Sequence, residues 1–178
     1  MNKQYGTRNV YLVGLMGAGK TTIGRTLARR LDLDFVDSDR EIEARTGVSI
    51  PTVFEIEGES GFRKRETQVI SDLSRQSNQV VATGGGVVLS PENRHNMSES
   101  GFVVYLNVPP HTLWERTRHD RNRPLLQVED PLLRLKELYA QRDPFYREVA
   151  NLVVDGSRIN AQGVLQLLVT EVGEQWKL

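Results

Sequence analysis

The chain has 178 residues, 38% of them hydrophobic, which suits one domain with a sizeable core. Lysine plus arginine equals aspartate plus glutamate at 23 each, a balance without the basic excess of a nucleic-acid or membrane-surface binder, so any anion site has to be local. Cysteine is absent, which excludes disulfides, thiolate catalysis and cysteine-held zinc or iron–sulfur clusters and fits a cytoplasmic protein. No apolar run reaches membrane-spanning length, and "VYLVGL" leads into a glycine-rich segment instead of a small-residue cleavage site, so neither a span nor a signal peptide is expected.

In chain order, apolar runs alternate with amphipathic ones. The pattern predicts a strand at 9–14, a helix at 20–31, a strand at 35–37, and helices at 39–46 and 60–76. Further strands are predicted at 79–83 and 101–106, then helices at 111–119 and 130–142, a strand at 151–155 and a helix at 160–176. This βα rhythm predicts a parallel sheet covered on both faces, with ligands beyond the carboxyl ends of the strands. Chemistry is therefore expected in the loops that leave those ends.

After the first strand stands "GLMGAGKT", which matches G-x-x-x-x-G-K-[ST] with Gly14, Gly19, Lys20 and Thr21, between a strand and a helix as the motif requires. Glycines let successive N–H groups, here of Gly17, Ala18, Gly19, Lys20, Thr21 and Thr22, turn inward around a polyphosphate at the positive end of the helix. Lys20 is expected to reach the β and γ phosphates and Thr21 to hold Mg²⁺, so a nucleoside triphosphate and Mg²⁺ are the expected ligands. A nucleotide site of this kind serves kinases, hydrolases and switches alike, and the other loops have to decide.

The second strand ends in "DSD". Ser38 and Glu41 form an S-x-x-E capping box, so the segment also reads simply as a helix start. Beside a phosphate loop the two carboxylates have further uses: Asp37 orienting water on Mg²⁺, and Asp39 accepting a proton from an attacking hydroxyl. No carboxylate comes after the third strand, where "VVATGGG" ends in Gly84, Gly85 and Gly86, which leaves Asp37 as its replacement. The three glycines read as a plain turn or as a place where backbone N–H groups approach a small ligand. In "GFRKRE", Arg63 is either a surface partner of Glu59 or a fork clamping a planar carboxylate. Arg142 either relieves a helix C-terminus ahead of Pro144 or makes a second anion contact. The aperiodic stretch 118–131 carries Arg118, Arg121 and Arg123 and reads as a lid that neutralises a triphosphate and excludes water, or as a solvated basic patch. Trp114 reads as packing, and His95, His111 and His119 lack metal-ligand spacing.

Taken together, "VYLVGLMGAGKTTIGRTLA", "DFVDSDREIEARTG", "VFEIEGESGFRKRE", "VVATGGGVV", "RNRPLL" and "QRDPFYREVA" resemble the shikimate kinase family over essentially the whole chain. The resemblance implies one P-loop kinase domain over residues 1–178, of the three-layer α/β P-loop NTPase type, with a five-stranded parallel sheet in order 2-3-1-4-5. It implies a mobile lid at about 116–131 and a shikimate-binding segment at about 39–66. It implies ATP-dependent phosphorylation of the 3-hydroxyl of shikimate in aromatic amino acid biosynthesis, with Lys20, Asp39 and Arg123 catalytic. Arg63 and Arg142 then clamp the shikimate carboxylate, Gly85 contacts the substrate through its backbone, Glu66 orients groups in the pocket wall, and Asp37 serves Mg²⁺ through water. Arg123 bridges the ATP phosphates, Arg116 stacks on adenine, Arg158 in "DGSRIN" is assigned to the nucleotide, and Phe54, Phe62, Pro124 and Leu125 form apolar walls. A monomer with small-molecule partners and no nucleic-acid or membrane partner is expected. The rival readings are a gluconate-type or nucleoside monophosphate kinase, a nucleotide-hydrolysing switch, and a nucleic-acid-binding module.

Overall fold

The computed structural model describes residues 9–176. Its elements are β1 (Asn9–Val13), α1 (Lys20–Leu31), β2 (Asp34–Asp37), α2 (Ser38–Thr46), α3 (Ile50–Ser74), β3 (Gln79–Ala82), α4 (Pro91–Ser100), β4 (Gly101–Asn107), α5 (Pro110–Thr117), α6 (Pro131–Val149), β5 (Leu152–Asp155) and α7 (Ala161–Trp176). The five strands form one sheet in the order β2-β3-β1-β4-β5, and every neighbouring pair is parallel. β1 lies at the centre, and Val10, Tyr11, Leu12 and Val13 are all without exposure. Burying an aliphatic side chain of this size contributes about 1.5–3 kcal/mol, which is why central parallel strands read as unbroken apolar runs.

The register places the ends of β1, β2 and β3 side by side: Leu12 is level with Ala82, and Ala82 with Asp37. The loops that leave these ends therefore meet over one edge of the sheet, which brings the glycine-rich turn, the "DSD" segment and the triple glycine together. Among the described residues no helix is long and apolar enough to cross a membrane.

Three elements depart from the expected boundaries. α3 begins at Ile50, ten residues before the expected start, and carries Gly58 at φ 69° and ψ −179°, so two helical pieces meet there at a kink. Helix α4 is not expected from "PENRHNMSES", because only Asn93, Met97 and Ser100 of its residues are buried and the apolar period is missing. α6 runs through Pro144 to Val149. Proline there removes an intrahelical hydrogen bond, and the buried Arg142, Tyr146 and Val149 hold the helix in place on both sides of it. The reading of Arg142 as a basic residue at a helix end is thereby corrected, since it sits mid-helix.

Candidate active site

The turn between β1 and α1 is shaped by left-handed backbone at Gly17 (φ 83°) and Gly19 (φ 95°), a region that side chains strongly disfavour. Gly19 is the N-cap of α1, makes no side-chain cap, and no acidic residue occupies the first helical turn. The amides there are thus left for an external anion. Lys20 is buried and folds back on its own loop, donating from Nζ to the carbonyls of Gly14 at 2.5 Å and Leu15 at 2.8 Å. Burial, then the positive charge of Arg123, lowers its pKa to about 7.

Thr21 points its hydroxyl at Asp37, with Oγ1 donating to Oδ2 at 2.8 Å. The other oxygen of Asp37 caps α2, accepting from the amides of Asp39 at 3.0 Å and Arg40 at 3.3 Å. This corrects the capping box: Asp37 is the N-cap, and Ser38 is fully buried with Oγ accepting from the Gly84 amide at 3.2 Å. A hydroxyl and a carboxylate side by side suit Mg²⁺, a hard cation that keeps several waters and takes few protein ligands beside substrate phosphates. Among the described residues no group of three or more histidine, cysteine or carboxylate side chains is placed to hold a metal ion.

A second group of side chains is assembled over the triple glycine. A methyl group placed on Gly84 would stand 2.8 Å from both Asp39 Oδ1 and Glu66 Oε2, and one on Gly86 would overlap the Arg63 guanidinium. Only bare backbone admits these side chains. Arg63 donates to Glu66 at 2.9 Å and to Glu59 at 3.3 Å, so the surface pair with Glu59 exists together with a buried one. Glu66 is 0% exposed and Arg142 is 2% exposed. Within this group Asp39 Oδ1, Arg63 Nε, Glu66 Oε2, and Nε and Nη1 of Arg142 are buried without a hydrogen-bond partner. Native proteins rarely tolerate such atoms outside functional sites, because each forfeits its hydration.

Burial pushes the Asp39 carboxyl up to about 6, aided by neighbouring Asp37 and opposed by Lys20, Arg123 and Arg63. Burial raises Glu66 to about 7 against the pull of Arg63, and burial lowers Arg142. Phe54 and Phe62 meet at 4.7 Å between ring centroids across the Gly58 kink and form an apolar wall. This cavity, about 100 Å³, shares Met16, Asp39, Gly84, Gly85 and Arg123 with a larger one of about 650 Å³ over the phosphate loop. Each therefore opens onto the other.

A match to the shikimate kinase family model spans residues 16–172. The chain is 66% identical over 164 residues to the shikimate kinase of Dechloromonas aromatica, covering 92% of this chain and 90% of that protein. It is 60% identical over 157 residues to that of Aromatoleum aromaticum, covering 88% and 90% respectively. The chain belongs to the shikimate kinase family. Among solved structures, the shikimate kinase of Acinetobacter baumannii in complex with shikimate is 46% identical and superimposes with a TM-score of 0.92 over 96% of both chains. The shikimate kinase of Aquifex aeolicus does so at 36% identity and a TM-score of 0.80, over 94% of this chain and 98% of that one.

Within this shikimate kinase fold, Asp39, Arg63, Glu66, Gly84, Gly85, Gly86 and Arg142 converge on the smaller cavity. Gly17, Gly19, Lys20, Thr21, Thr22, Asp37 and Arg123 line the larger one. Arg123, in the segment between α5 and α6, borders both cavities and is held through Nε by Asp120 at 3.0 Å. Arg116 donates to the Gly17 carbonyl at 3.1 Å and borders a third cavity of about 230 Å³, walled by Ala18, Val108, Ile159 and Val164. Arg158 is not brought there: its side chain is 84% exposed and paired with Asp155 at 3.2 Å, while Gly156 and Ile159 beside it do line the cavity. Reading the sequence overlooked Met16, whose motif position accepts any residue, and Asp120, which an i,i+3 charge pattern with Arg123 could have flagged. Trp114 packs against the core, as expected, and His95, His111 and His119 are exposed.

Proposed function

We propose that this chain transfers the γ-phosphoryl group of ATP to the 3-hydroxyl of shikimate, giving shikimate 3-phosphate and ADP. The observation that carries the reading is the pair of arginines, half-buried Arg63 and buried Arg142, each with a buried vacant donor, in a pocket that opens onto the phosphate loop through Asp39 and Arg123. Two guanidiniums suit a ring carboxylate, and the residues that the two cavities share would bring a ring hydroxyl toward the terminal phosphate.

Phosphoryl transfer asks a protein for positioning and charge stabilisation more than for covalent chemistry. Asp39 accepts the hydrogen bond of the attacking hydroxyl and takes its proton as the oxygen–phosphorus bond forms. Lys20 and Arg123, which both line the larger cavity, stabilise charge on the transferring group and on the departing ADP. Thr21 and Asp37 would hold Mg²⁺, which when bound neutralises phosphate charge. Residues of the lid, with Pro124 and Leu125 against the smaller cavity, exclude water that would otherwise consume ATP.

The deciding experiment measures ADP release by the purified protein with shikimate and with gluconate in parallel. ADP production coupled to shikimate, with shikimate 3-phosphate as product and gluconate inert, is the expected result. Release without any acceptor, or with gluconate alone, would overturn it in favour of a switch or of another hydroxy-acid kinase.

A further inference from the structure

The triple glycine poses a problem of its own. Side chains are excluded at Gly84 and Gly86 by the close approach of Asp39, Glu66 and Arg63, and glycine is the residue with the most backbone freedom to lose. Left to itself, such a turn would present its amides and carbonyls to a ligand in many orientations. Yet it forms the floor of a pocket that has to hold a ring within tenths of an ångström.

Two buried hydroxyls grip it. From one side the amide of Gly84 donates to Oγ of Ser38, which sits at the start of α2 between Asp37 and Asp39. From the other, the phenol of Tyr146 on α6 donates to the carbonyl of Gly85. Both residues are 0% exposed, and neither borders the cavities. The Tyr146 ring stacks on Tyr105 of β4 at 4.8 Å between centroids, so the phenol stands on the sheet itself. One helical turn before Tyr146 on the same helix is Arg142, whose Nη1 lies 3.5 Å from the position a Gly85 methyl would take. A trans peptide directs its N–H opposite to its C=O, so fixing the Gly85 carbonyl toward α6 also fixes the Gly86 amide away from α6.

We infer that Ser38 and Tyr146 are positioning residues for the acceptor: they clamp the Gly84–Gly86 turn between α2 and α6 and so set the alignment of its backbone and of Arg142 for the incoming substrate. The inference rests on reading this pocket as the shikimate site. Ser38 thereby acquires a task that its sequence pattern hid, tying the loop after β2, with its two carboxylates, to the loop after β3. Neither residue touches the reacting atoms, so their effects are expected on the acceptor side of the cleft and not on the ATP KM.

The test is steady-state kinetics of Tyr146→Phe and Ser38→Ala, with Tyr105→Phe as control. Tyr105 shares the ring stack, but its hydroxyl serves Asp143 at 2.8 Å, away from the glycines. The expected outcome is a rise of about tenfold in the shikimate KM for Tyr146→Phe, the size of one lost hydrogen bond, with the ATP KM unchanged and Tyr105→Phe close to normal. Ser38→Ala should raise the shikimate KM similarly and, through its neighbour Asp39, lower kcat as well. If Tyr146→Phe and Tyr105→Phe behave alike, or if the KM values for ATP and shikimate rise together, the hydroxyl is structural only and the inference fails. Should Tyr146→Phe not fold, the decision falls to Ser38→Ala, for which an unchanged shikimate KM is the contrary result. A wild-type enzyme inert toward shikimate would instead refute the reading of the pocket.

Discussion

The two halves of the cleft are built on opposite plans. The half proposed to hold the donor is one contiguous turn, Gly14–Thr22, whose helix start has neither a side-chain cap nor an acidic residue and whose lysine is satisfied by its own loop. The acceptor half draws Asp39, Arg63, Glu66 and Arg142 from α2, α3 and α6 onto a glycine floor, and leaves five of their polar atoms buried without partners. Where backbone does the binding, recognition is generic to polyphosphates. Where buried side chains are held in readiness, recognition is specific, and the vacant donors and acceptors cost stability until a matching ligand arrives.

Asp39→Asn should cut deepest and separate the halves most cleanly: kcat falls by about 10²–10⁴-fold, the usual worth of one acid–base group, while calorimetry finds ATP binding nearly intact. Equal losses in turnover and ATP affinity would mean that the halves are not separable at this residue. Arg63→Ala comes next, lowering kcat/KM for shikimate by about thirtyfold or more with the ATP KM little changed, as for truncation of a buried charge partner. A comparable rise in both KM values would contradict a clamp confined to the acceptor.

The acceptor half should also impose the pH dependence. Asp39 accepts a proton only when ionised, and its carboxyl has been pushed up to about 6. Hence kcat/KM for shikimate should drop about tenfold per pH unit below about 6, and a profile of Asp39→Asn should lack that limb. The smallest effect is on stability. Glu66 lies at about 7 in the fold against an ordinary 4.5, so between these values the folded protein holds a proton that the unfolded chain has released. Its contribution is complete below about 4.5 and is lost as pH rises through about 7. Glu66→Gln should therefore raise the melting temperature of the ligand-free protein by a few degrees at pH 8 and leave it unchanged at pH 4. A gain of the same size at both values would place the cause elsewhere.

The same contrast governs what could be read from the residues alone. The donor turn is local, and its spacing carried the nucleotide site directly; all five strands likewise announced themselves as short apolar runs. The acceptor half is legible only in pieces. Nothing near Arg142 in the chain reveals that it is buried, and Pro144 argued for a helix end where tertiary packing carries α6 onward. Ser38 looked like a cap because Ser and Glu at that spacing often cap, yet Asp37 one residue earlier takes the role and frees the serine for Gly84. The first piece of α3 escaped because Gly58 interrupts its period, and Arg158 drew attention by its charge where uncharged Gly156 and Ile159 form the wall.

The self-satisfied lysine has a last consequence. With its amine brought down to about 7, Lys20 at neutral pH is a mixture of ammonium and free amine. An arriving polyanion favours the ammonium form, so nucleotide capture is expected to take up a fraction of a proton from the medium. Alkaline solution withholds that proton, and the grip on nucleotide loosens accordingly.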